Sequence, residues 1–255
     1  MIPALKAEFR KLLTVRSTYV ITGLALLAIG FVSLYAEGIK GGDLAGPSAS
    51  LYLASTITQH SALISILGAL VALLLLTHEY RYNTITYTLT AANSRSKVLF
   101  AKITAVSVYV FGFAVISGLV GLLCITIGMT MAGHTLPNQD ISILTYLGKM
   151  VFYCEGWALA ALLFAALFRN QVAAIAVLLV GPNTTEVLLS LFLKEHAVYL
   201  PFTALSQVVA APSVPGFSSI TGATLSPMRG ALVFCIYLVV GWAVTWLLFL
   251  KRDAS

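Results

Sequence analysis

Residues 61–77 read SALISILGALVALLLLT without a single charge, and stretches of this kind recur along the whole chain. That recurrence constrains the fold most. An uninterrupted apolar segment of about 20 residues crosses a hydrocarbon core as a helix. The stretches are continuous rather than alternating with period two, which specifies helices and not barrel strands. Six spans are expected, at 17–36, 61–77, 104–132, 147–168, 172–193 and 231–250. The chain is 59% hydrophobic and 9% charged, whereas soluble domains carry about 25% charged residues. The expected fold is an all-α polytopic membrane protein, one domain over 1–255. The first apolar stretch is long, lacks a clean small-x-small site and precedes five more, so it reads as a span rather than a cleaved signal.

The net charge of +6 has a topological origin. Lys6, Arg10, Lys11, Arg16, Arg81, Arg95, Lys97, Lys102, Arg169, Lys251 and Arg252 fall on one side of the six spans; Lys40, Lys149, Lys194 and Arg229 fall on the other. The positive-inside rule then puts both termini in the cytoplasm of a multi-pass cell-membrane protein. No nucleic acid is needed to explain the charge, and anionic lipid heads are a natural counterpart. Residues 1–16 carry Ile2, Leu5, Phe9, Leu12 and Leu13 at helical spacing among Lys6, Glu8, Arg10 and Lys11, as an interfacial amphipathic helix would. Residues 37–60 form the first outer loop, whose second half has the character of helix. Residues 194–228 are long yet apolar, with Pro212, Pro215 and Pro227, and suggest short re-entrant outer helices between spans five and six.

Polar groups are few enough to take one at a time. Glu155 and Glu186 lie inside spans four and five, where a carboxylate is costly and turns inward. Glu186 follows Gly181-Pro182-Asn183-Thr184-Thr185; the proline frees an upstream carbonyl that Asn183 or the threonines can satisfy. Pro182, Asn183, Thr184, Glu155 and Glu186 are therefore candidates for a substrate path, the plain alternative being a structural kink with a helix-pairing polar cluster. His60, His78, His134 and His196 sit at span boundaries with no metal spacing, and Cys124, Cys154 and Cys235 read as packing residues. No metal site, catalytic constellation or cofactor site is expected. The only Gly-Lys pair, Gly148-Lys149, is followed by Met150, and Ile143 stands where a P-loop needs glycine.

The remaining feature is the break after span two, Glu79-Tyr80-Arg81-Tyr82-Asn83-Thr84-Ile85, within a basic segment 78–100. It is either an ordinary amphipathic connection or a short transverse helix whose exposed Glu and Arg dock a soluble motor subunit. With the helix 1–16, six spans, Glu79-Tyr80-Arg81 followed by Thr84-Ile85, and the apolar outer segment, the chain resembles the membrane subunit of an ABC-2 type exporter. Position 83 is Asn where the resemblance expects glycine. The resemblance implies that Glu79, Tyr80, Arg81, Asn83, Thr84 and Ile85 form a cytoplasmic coupling helix and its approach. It implies two ATPase subunits that carry Mg-ATP, a second permease copy or related subunit, and outward alternating-access movement of a drug, antimicrobial peptide or lipid. The absence of an aromatic ladder in spans one, two and five favours a hydrophobic or amphipathic substrate over a glycan. Without the resemblance, Glu155 and Glu186 suggest a secondary transporter or channel-like protein, and a membrane scaffold is a third reading.

Overall fold

A computed structural model describes residues 2–41, 52–92, 94–135, 138, 141–210 and 224–251. Among them there is no strand. Six helical stretches are long and apolar enough to cross a membrane: Arg16–Ile39, Tyr52–Arg81, Arg95–Met131, Ile143–Phe168, Gln171–Tyr199 and Pro227–Leu248. The chain is an all-α polytopic membrane protein.

Helix α1 (Ile2–Thr14) precedes α2 (Arg16–Phe31), which continues as a π-helical turn, Val32–Ile39. Helix α3 (Tyr52–Arg81) returns, the short α4 (Ile85–Ala92) crosses, and α5 (Arg95–Met131) runs out again. Helix α6 (Ile143–Phe168) returns to a tight turn at Arg169, and α7 (Gln171–Val180) leads through a second π-helical turn, Gly181–Thr185, into α8 (Glu186–Leu193). A 3-10 turn, Lys194–Tyr199, then α9 (Pro201–Val209) and α10 (Pro227–Lys251) complete the order.

Two boundaries depart from expectation. Glu37, assigned to the first outer loop, lies in the π-helical turn, and α3 already begins at Tyr52, so the described ends of this loop are helical. The third span has 37 residues, about 55 Å at 1.5 Å per residue. It therefore extends past any hydrocarbon core and brings Arg95–Lys102 to the face where α1 and α4 lie. Of the outer segment, α9 is the one α-helix among the described residues; Pro212 and Pro215 lie outside them.

The core is the pairing of α3 with α6, whose membrane windows are 67% and 61% buried; those of α2, α7–α8 and α10 are 17%, 17% and 11% buried. Fully buried Ile64, Leu73 and Leu76 of α3 share a cluster with Met150, Ala158, Ala161 and Leu162 of α6. Glycines set the closest approaches. A Cβ on Gly128 of α5 would lie 2.3 Å from the carbonyl oxygen of Leu34 and 2.8 Å from Cα of Gly38. Gly118 likewise makes room for Leu147 and Met150, and Gly156 for Leu205 and Phe234. Small residues here permit contacts within one chain.

Candidate functional site

The break after α3 folds as a helix stop with a defined geometry. Thr84 N–H donates to the Glu79 carbonyl (2.9 Å) and Asn83 N–H to that of Tyr80 (3.3 Å). This is the paired-bond closure in which the residue just past the helix adopts a left-handed backbone. That residue is Asn83, at φ +53°. Glycine accepts this conformation without cost, and asparagine is among the side chains that tolerate it best. The departure from glycine at 83 thus keeps the turn. Ile85 is buried as the first residue of α4, while Thr86, Tyr87 and Thr90 are exposed.

The triplet before the turn fans out over three neighbours. Glu79 points into the protein, a correction to the expectation that it is exposed for docking. Its Oε1 accepts from Lys102 Nζ of α5 (2.8 Å) and from Lys11 Nζ of α1. Lys102 also donates to Glu8 (2.8 Å) and Lys11 to Glu8 (2.7 Å), which closes a four-charge ring between α1, α3 and α5. Lys102 is fully buried, and a half-buried Lys11 forms the rim. Burial works against the Lys11 ammonium, but its hydrogen bonds to Glu79 and Glu8, with the attraction of their charges, outweigh it and raise its pKa above the ordinary 10.5. Tyr80 lies under the Arg169 guanidinium, 5.8 Å from ring centre to Cζ, at the α6–α7 turn. Arg81 is exposed and reaches Gln171 of α7 at 3.4 Å. The end of α3 is therefore tied to α1, α5, α6 and α7.

The substrate-path candidates separate. Pro182 is buried, and Asn183, Thr184 and Thr185 are exposed on the outside of this chain. The Asn183 amide donates to the Leu179 carbonyl at 2.9 Å, one residue beyond the Leu178 carbonyl that Pro182, lacking an N–H, cannot serve. Glu186 is buried and caps α9: Oε1 accepts from Phe202 N–H (2.9 Å), and Oε2 from Thr203 N–H (2.7 Å) and hydroxyl (2.8 Å). These are the unpaired amides of a helix start, where a negative charge is stabilised. Glu155 is half-buried on α6, beside Ser107 and Phe111 of α5. The structure does not bring Glu155 and Glu186 into one site.

A polar cluster that the sequence reading missed lies toward the opposite end of the bundle. His60 Nε2 meets Glu37 Oε2 at 2.6 Å and Ser33 Oγ at 2.9 Å, and Nδ1 meets the Tyr146 hydroxyl at 2.6 Å. All four side chains are buried. His60 is therefore a core residue joining the first span, α3 and α6, and not an interfacial one. Among the described residues no group of three or more His, Cys, Asp or Glu could hold a metal ion, and all three cysteines are free thiols.

No curated protein matches the chain. The family model described as ABC-2 family transporter protein matches residues 4–182. The match runs from α1 through the Glu79–Ile85 turn to Pro182 and leaves α8, α9 and α10 beyond it. It covers well over half of a chain whose six spans and basic-face turn have the arrangement described above, and this protein is therefore a member of the ABC-2 transporter family, an ABC transporter permease.

Proposed function

We propose that this chain is the membrane half of an ABC exporter in which α4 receives the movement of a soluble ATPase. One observation carries the reading. Helix α4 follows α3 through the Asn83 turn and stands two residues before α5 in the chain, and the Glu8–Lys11–Glu79–Lys102 ring locks α3 and α5 to α1. Force applied at the exposed face of α4, at Thr86, Tyr87 and Thr90, would move a preassembled unit rather than a loose loop. In this reading Glu79 organises the coupling unit from inside, and Arg81 and Tyr82 stand at its surface.

In the same reading the basic face is cytoplasmic, both termini lie there, and the complex sits in the cell membrane. Two copies of the chain, or this chain and a related one, bind two ATPase subunits that hold Mg-ATP. The exposed Asn183, Thr184 and Thr185, midway along a span only 17% buried, support such pairing, since polar side chains facing lipid are costly. The apolar character of the spans favours a hydrophobic or amphipathic substrate moved outward. The test is reconstitution with a co-purifying P-loop ATPase. Tyr87→Ala should abolish stimulation of ATP hydrolysis while leaving the permease folded. Undiminished coupling in a Tyr87→Ala, Thr86→Ala, Thr90→Ala variant would overturn the role of α4.

A further inference from the structure

Beside the coupling unit lies an open cavity of about 650 Å³, a size typical of ligand sites. Its length follows α3 from Val71 to Tyr82, about 16 Å at 1.5 Å per residue. At one end the wall is apolar, from Val71, Leu74 and Leu75. At the basic-face end it is polar, with Lys11, Ser17, Thr18 and Glu79, and Tyr82 and Tyr87 standing at the rim. Tyr19 and Val20, which follow Thr18 on α2, lie outside this lining and are exposed to about three-fifths of their surface (59% and 58%), as side chains facing lipid would be.

Two hydrogen-bonding capacities at the polar end are unused. The Lys11 ammonium gives one N–H to Glu8 and one to Glu79, and an ammonium has three. Glu79 Oε2 is buried with no hydrogen-bond partner, although Oε1 of the same carboxylate accepts two lysines. A buried acceptor left unmet is costly. Glu79 lines the cavity, and a small rotation of its carboxylate would turn the covered Oε2 toward an occupant; one that answers both must carry an acceptor of negative charge and a nearby donor on an apolar body. A phospholipid head has this form: phosphate for Lys11, and ethanolamine ammonium or glycerol hydroxyl for Glu79. Phosphatidylcholine has the phosphate, but its quaternary ammonium has no N–H to give.

We propose that this cavity binds one glycerophospholipid from the leaflet of the basic face, with a donor-bearing head group at the Lys11–Glu79 pair and an acyl chain along Val71, Leu74 and Leu75. The bound lipid fills the space between α2, α3 and α4, so it is a structural ligand of these helices. The inference stands apart from the exporter reading, since it follows from the cavity and the Lys11–Glu79 pair.

The test is native mass spectrometry of the purified full-length chain from nanodiscs containing phosphatidylethanolamine, phosphatidylglycerol and phosphatidylcholine. One tightly held lipid per chain is expected, with either donor-bearing lipid retained roughly ten-fold over phosphatidylcholine, a factor equal to about 1.4 kcal/mol. Leu74→Trp, which fills the groove, should lose it; Leu74→Ala, which widens the groove, should keep it. Lys11→Gln, at the accessible edge, should lower retention of both donor-bearing lipids and gives the reading if Leu74→Trp fails to fold. Equal retention of phosphatidylcholine, no retained lipid in the unsubstituted chain, unchanged retention in Leu74→Trp or Lys11→Gln, or displacement by inorganic phosphate would each overturn the proposal.

Discussion

Glu186 takes both the backbone N–H and the hydroxyl of Thr203 on one carboxylate oxygen, at 2.7 and 2.8 Å, across a separation of 17 residues. The fifth span thereby holds the start of α9 in place. Helix α9 begins Leu200-Pro201 and has no side-chain cap of its own, so the carboxylate is supplied from α8.

Replacing Glu186 with Ala should cost about 1–2 kcal/mol, the range for losing a cap, read as a lower thermal midpoint and faster proteolysis within 194–210. Glu186→Gln keeps one acceptor oxygen and should lose less. Transport that survives Glu186→Gln would fit a structural cap, whereas a proton-carrying role requires its loss.

Lys102 is the buried centre of the ring between α1, α3 and α5. Lys102→Met leaves Glu8 and Glu79 sharing a single cation at the edge, and breaking a buried pair in this way costs about 3–5 kcal/mol. Adding Glu79→Gln should restore part of the lost thermal stability, because one uncompensated charge is then removed.

The pH dependence of α1 docking follows from the sign of the Lys11 shift. Its pKa in the folded chain lies above 10.5, so its contribution is fully present below 10.5 and is lost as pH rises through the higher folded value. Hydrogen-exchange protection of α1 should therefore be insensitive to the Lys11 proton through neutral pH and fall only under strongly alkaline conditions. A fall near neutrality that disappears in Lys11→Met would contradict this assignment.

Gly128 and Gly112 lie on the same helix and should respond oppositely to alanine. A Cβ at 128 meets the Leu34 carbonyl and Gly38, whereas one at 112 meets nothing within 4 Å. Gly128→Ala should destabilise by about 1–3 kcal/mol through overpacking, and Gly112→Ala should be neutral or stabilise by up to about 1 kcal/mol. Thermal melts in one detergent compare the two directly.

Asn83→Gly should preserve the turn between α3 and α4, and Asn83→Val should weaken it by about 1–2 kcal/mol because a branched side chain is strained at positive φ. Circular dichroism melts, with co-purification of the ATPase as a second reading, distinguish the two.

Hydropathy made the spans legible because hydrocarbon imposes length and composition on each segment independently. It gave no access to direction within a helix. Glu79 is visible as a charge at the end of an apolar run, but whether it faces a partner or Lys102 depends on the rotation of α3 against α5. The Glu37–His60 pair was hidden for a related reason. A run of apolar residues followed by glycines reads as a span and a loop, and the π-helical turn that carries Glu37 inward has no hydropathy signature. Glu186 is legible as a buried carboxylate, yet its partners are mostly backbone amides, which every sequence contains. One signal was present: Leu200-Pro201 starts a helix with Pro at its first position and an apolar residue where a cap belongs, which calls for an acceptor from elsewhere.

The central pairing of α3 with α6 bears on how the chain is made. Ribosomes deliver α3 to the membrane well before α6, with the whole of α5 between them. During that interval His60, Ser61, Ser65 and Glu79, all buried in the finished bundle, have only α1, α2 and α5 to shield them. The Glu8–Lys102 and Glu37–His60 contacts join elements that emerge before α6, so both can form early and hold the nascent helices together until the fourth span arrives. Chains arrested after α5 should thus be metastable in the bilayer, and substitutions at Lys102 or His60 should show first as rapid degradation of such arrested chains.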